Sequence, residues 1–71
     1  MSKYLIIIEK TDTGYSAYSP DLPGCAATGE TREETEHEMK EAIEFHIEGL
    51  RLNGNRVPEP ISLASYCEVA A

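Results

Sequence analysis

The chain has 71 residues, 13 acidic against 6 basic side chains, a formal net charge of -7 and two cysteines. That length makes one domain, residues 1–71, whose core alone supplies only roughly 3 to 5 kcal/mol, so a staple or a second chain is expected to help. A surface of this sign repels phosphate and argues against direct nucleic-acid binding. It suits a basic partner, or simply keeps a small protein soluble, and no apolar run approaches the roughly 20 residues of a membrane span.

In chain order, Lys3 to Lys10 reads as a first strand, with Tyr4, Ile6 and Ile8 on one face and Leu5 and Ile7 on the other. Both faces are apolar, as in a strand covered on two sides. Thr11-Asp12-Thr13-Gly14 is a hairpin turn in which Gly14 is able to take positive φ. Tyr15 to Ser19 returns as the second strand, its two tyrosines on opposite faces.

Pro20-Asp21-Leu22-Pro23-Gly24-Cys25 is the corner on which the chain is organised. Two prolines fix φ and exclude helix before them, Gly24 supplies backbone freedom, and Asp21 is either a turn-forming acceptor or a contact to a partner. Cys25 to Thr28 is a short edge strand of small residues, closed by Gly29.

Thr31-Arg32-Glu33-Glu34 is a capping box, with Glu34 reaching back, and opens a helix from about Arg32 to Asn53. Thr35, Met39, Ala42, Ile43, His46, Ile47 and Leu50 form its core stripe, while Glu33, His37, Lys40, Glu41, Glu44, Glu48 and Arg51 lie opposite. Glu36 and Lys40 form an i,i+4 pair. Gly54 is the left-handed residue that stops the helix. Val57-Pro58-Glu59-Pro60 is a rigid connector, and a last short strand falls near Tyr66 to Val69.

The resulting fold class is α+β, in the order β-β-β-α-β, with the last strand parallel to an earlier one and one helix on one face of a small sheet. One helix covers one face only. Leu5, Ile7 and Tyr18 on the other are therefore candidates for an interface in a homo-oligomer, dimer or tetramer, unless the C-terminal segment folds over them. Phe45 and Leu52 share another side of the helix; they are an interface, scattered exposure, or packed under the Pro58 connector.

The residues offer little chemistry. His37 and His46 lie about 180° apart on the helix and cannot share a metal, so the former reads as solvated and the latter as buried and hydrogen-bonded. The many glutamates read as a solvated face, and no phosphate loop, nucleophile elbow or zinc spacing occurs. No catalytic residue, cofactor or metal is assigned. The element order also fits the first part of a ribonuclease H type fold, which raises a metal-dependent nuclease; its carboxylates would be Glu9 and Asp21, too few for a two-metal site. Cys25 and Cys67 are read as free buried thiols in a cytoplasmic protein, since no signal sequence opens the chain, rather than as an oxidised pair.

The Pro20 to Cys25 hexapeptide, then Gly29-Glu30-Thr31, Glu33-Glu34, the helix, Gly54 and Val57-Pro58-Glu59-Pro60 closely resemble the HicB-type antitoxin family. The resemblance runs from the first strand through Pro60. It implies a partial ribonuclease H-like, non-catalytic, usually oligomeric domain that silences a small basic HicA-type toxin, itself an mRNA-cleaving ribonuclease. Within that reading Pro20, Pro23, Gly24 and Gly29 set backbone geometry, and Glu41, Glu44 and Glu48 are the candidate contacts to a basic toxin. Two features depart from the family pattern: Thr35 and Ala27 replace the usual Ala and hydroxyl residue. The chain also stops at Ala71, leaving no room for the C-terminal DNA-binding domain that many members carry. A stand-alone oligomeric interaction domain with another partner is the alternative.

Overall fold

In the computed structural model, which describes residues 2–71, the apolar N-terminal run enters a three-stranded antiparallel sheet. Its strands are β1 (Ile7–Lys10), β2 (Tyr15–Tyr18) and β3 (Ala26–Gly29), in that spatial order. Ile8 sits opposite Ala17, and Ala17 opposite Ala27, which puts Tyr4, Ile6, Ile8, Ala17 and Ala27 on one inner face. The strand expected over Lys3 to Lys10 is shorter because its ladder ends at the Ile7–Tyr18 pair, beyond which Pro20 offers no N–H. Instead the Ser19 hydroxyl donates to the Leu5 carbonyl at 2.9 Å.

Gly14 does not take positive φ. It is required for space: a Cβ there would lie 2.3 Å from the Gly29 carbonyl oxygen.

The corner after β2 is both turn and core. Leu22 N–H donates to the Ser19 carbonyl and Cys25 N–H to the Leu22 carbonyl, at 3.2 and 3.1 Å, and Gly24 has φ +83°. This folding drives Leu22 inward until it is fully buried with Ala17, Cys25 and Met39. Burial pushes the Cys25 thiol up from its ordinary pKa of 9.0.

The helix, α1 (Arg32–Leu52), begins where the Thr31 hydroxyl accepts the Glu34 N–H at 3.1 Å. Only this half of the capping box forms among the described residues. Gly29 lets α1 lie close on β3, since a Cβ there would meet the Thr35 hydroxyl at 2.6 Å and its backbone nitrogen at 2.9 Å. Thr35 and Met39 are accordingly fully buried, while Ile43, His46, Ile47 and Leu50 are only half-buried. The cause is length. Twenty-one helical residues span about 32 Å, against about 13 Å for a four-residue strand, so the second half of α1 overhangs the sheet. Glu36 pairs with Arg32 at 3.3 Å rather than with Lys40.

The helix stops in a Schellman arrangement. Asn55 N–H reaches the Leu50 carbonyl at 2.8 Å, Gly54 N–H the Arg51 carbonyl at 3.1 Å, and Gly54 has φ +71°. The connector then returns past the start of the chain, where the Tyr4 hydroxyl donates to the Pro58 carbonyl at 2.6 Å.

The final strand expected near Tyr66 to Val69 does not form; residues 55–71 carry no helix or strand. Pro58 and Pro60 stiffen the connector, and every residue from Leu63 onward is exposed, so the segment joins no ladder of its own sheet. Nor does it fold over the outer sheet face. There Leu5 and Ile7 are half-buried and Tyr18 is 44% exposed. The architecture is α+β: three antiparallel strands and one helix on one face.

Candidate protein-binding surface

Two features stand out once the elements are in place. The first is a clamp. The Asp21 carboxylate accepts the Ser62 backbone N–H at 3.0 Å through Oδ2 and the Ser62 hydroxyl at 2.8 Å through Oδ1. Asp21 is therefore neither a local turn acceptor nor free for a partner: it ties the corner to a segment 41 residues away. No sequence signal marks Ser62 for this role.

The second is a groove of about 1020 Å³ between the overhanging helix, the first residues of the chain and the connector. Its apolar wall is Tyr4, Ile6, Ile43, Ile47, Leu52, Val57 and Pro58; Glu36, Lys40, Glu44, Glu48, Arg51 and Glu59 stand on its polar rim. Tyr4, Ile6, Ile43 and Ile47 belong to the expected core, and they line a groove because the helix outruns the sheet that should cover it.

The candidate contact residues fall in separate places. Glu44 and Glu48 stand at the groove, whereas Glu41 pairs with exposed His37 at 3.5 Å. Leu52, 78% exposed, lines the groove, but Phe45, 79% exposed, does not, and neither packs under the connector. Leu5, Ile7 and Tyr18 lie on the opposite, outer sheet face. The five interface candidates thus make three patches rather than the two expected. His46 is half-buried, not buried.

Glu9 and Asp21 do not converge. Glu9 lies opposite Ser16 toward the hairpin end of β1, Asp21 lies past the other end of β2, and Ser62 occupies its carboxylate. Among the described residues no three His, Cys, Asp or Glu side chains come together in a way that would hold a metal ion. The two cysteines are apart and free, Cys25 buried but Cys67 exposed, contrary to the expectation that both are buried. Among the described residues no helix is long and apolar enough to cross a membrane.

The pattern of one protein family, the HicB-like antitoxins of bacterial toxin-antitoxin systems, matches residues 4–70. The chain belongs to that family. This HicB-like chain is 41% identical over 63 residues to an uncharacterised 14.9 kDa protein in the rep-hol intergenic region of Haemophilus phage HP1. The match covers 89% of the chain but only 47% of the phage protein, about half its length. UPF0150 proteins of Thermoplasma acidophilum, 40% identical with 79% of this chain and 83% of that one covered, and of Synechocystis, 42% identical with 79% and 72% covered, are closer in size. Among solved structures, a HicA3 and HicB3 toxin-antitoxin complex contains a chain with a TM-score of 0.72 and 38% identity. That match covers 80% of this HicB-like chain and 66% of the other.

Proposed function

We propose that this chain is a non-catalytic antitoxin, a single domain over residues 1–71, that works in the cytoplasm. It neutralises a small, basic, RNA-cleaving HicA-type toxin by binding it, and it does so as a homo-oligomer. The observation that carries the reading is the likeness, at 38% identity and TM-score 0.72, to a chain of a HicA3–HicB3 complex. Charge supports it. A net charge of -7, with Glu44 and Glu48 beside an apolar groove, is complementary to a surface built to hold RNA. The rim carboxylates would speed the formation of such a complex.

The test is co-expression of this chain, affinity-tagged, with the small basic protein encoded beside it. Co-purification, relief of growth arrest and loss of RNA cleavage are expected. Replacing both Glu44 and Glu48 by Lys should slow association and flatten its salt dependence while helix content stays unchanged. A neighbouring toxin that arrests growth and cleaves RNA undiminished in the presence of this chain would refute the proposal.

A further inference from the structure

The C-terminal segment is a strand without a sheet. In an extended chain Ile61, Leu63, Ser65, Cys67 and Val69 fall on one side and Ser62, Ala64, Tyr66 and Glu68 on the other, so the first side is apolar but for Ser65 and the second is mixed. Yet Ile61 is 79%, Leu63 93%, Tyr66 100% and Val69 75% exposed. Apart from the Ser62 N–H held by Asp21 and a weak contact of the Cys67 thiol with the Glu68 carbonyl, no backbone group of residues 61–71 is paired within the chain, among the described residues.

The same molecule holds the vacancy this strand would fit. β1 is an edge of the sheet, with its outer N–H and C=O groups unpaired. Beside it lies the groove walled by Ile6, Ile43, Ile47 and Leu52 under the overhanging helix. A right-handed crossover from β3 through α1 delivers the next strand to that edge. In its own chain the segment cannot take the place, because Pro58 and Pro60 stiffen the hinge and the clamp on Ser62 draws it off to the Asp21 corner.

We infer that residues 63–69 of one copy add as a fourth strand to β1 of a second copy, their apolar side in its groove, and that the exchange is reciprocal. A second copy is the occupant that charge selects. Copies carrying -7 each repel one another, but residues 60–71 bear a single charged side chain, Glu68. This is the segment through which two such chains approach with least repulsion. Nine residues beyond the clamp reach about 30 Å when extended, enough to run the whole of a partner's β1. Reciprocity gives a closed two-fold dimer that removes both free β1 edges. The inference rests on the homo-oligomer part of the function proposed above and is independent of toxin binding.

Light scattering and amide hydrogen exchange on the full chain test it. The wild type is expected at twice the 7.8 kDa of one chain, with the amides from Ala64 to Glu68 protected. Leu63→Lys with Val69→Lys should give a monomer of unchanged helix content whose segment amides exchange freely, because neither side chain is packed in its own protomer. Ser65→Pro should do the same by removing a strand N–H. A dimer that persists in these variants with its protection intact overturns strand exchange but leaves the oligomer. A wild type that stays monomeric into the millimolar range overturns both, and toxin co-purification reports separately on the antitoxin function.

Discussion

Replacing Asp21 by Ala removes both bonds of the clamp on Ser62. Hydrogen bonds to a charged acceptor contribute about 1.5 to 3 kcal/mol each where water is excluded. Asp21 and Ser62 are half-buried, so about 1 kcal/mol each, about 2 in all, is the appropriate figure, which is about 30-fold in an opening equilibrium. The loss is local. Nothing beyond Leu63 packs on the core, and the connector stays held by the Tyr4 bond to Pro58, so the urea midpoint should hardly move. The assay is therefore amide exchange at Ser62, with proteolysis beyond Pro60 in the monomeric Leu63→Lys, Val69→Lys background as a second readout. Both should accelerate by about the 30-fold just derived. Ser62→Ala should show roughly half the loss in free energy, since its N–H bond survives. Exchange at Ser62 within twofold of wild type in Asp21→Ala would show that the clamp carries none of the attachment.

Five further outcomes follow from the geometry. Gly24→Val puts a β-branched residue at φ +83° and should destabilise the fold by about 1 to 3 kcal/mol, read as a fall in the urea midpoint at constant slope. Gly29→Val forces a side chain against Thr35 and should lose about 1 to 3 kcal/mol by overpacking, visible as a lower Tm. Thr31→Ala deletes the accepting hydroxyl for the Glu34 N–H and should lower stability by about 1 kcal/mol. Thiol labelling of the native protein should modify exposed Cys67 quickly and buried Cys25 only on unfolding. Because the Cys25 pKa is raised in the folded state, the unfolded chain releases its proton first, so stability should fall as pH rises past 9.0.

Local signals were legible where one or two residues decide the geometry. The prolines with Gly24, the Thr31 cap and the Gly54 stop mark boundaries that the structure keeps within a residue or two, because each acts through its own φ or its own hydrogen bond. Period-2 alternation sorted Tyr4, Ile6 and Ile8 to the inner face for the same reason. Leu22 read as part of a turn, yet it is the plug of the core, since burial depends on what the turn is folded against.

Where two distant pieces of the chain must agree, neither carries a local signal of the other. Strand propensity at Lys3 to Ile6 and at Tyr66 to Val69 counts for nothing without a neighbour to complete the ladder. The Asp21–Ser62 clamp joins residues that share no pattern.

By itself the sequence determined the α+β class, the element order through the helix and the net negative charge. Those follow from periodicity, turn chemistry and charge, which are local or summed properties of the chain. Only the tertiary structure decided that the helix outruns its sheet, that a groove opens beneath the excess, and that the C-terminal segment leaves its own domain unpaired. Those are matters of relative length and long-range contact, and a strand's partner is not encoded within the strand.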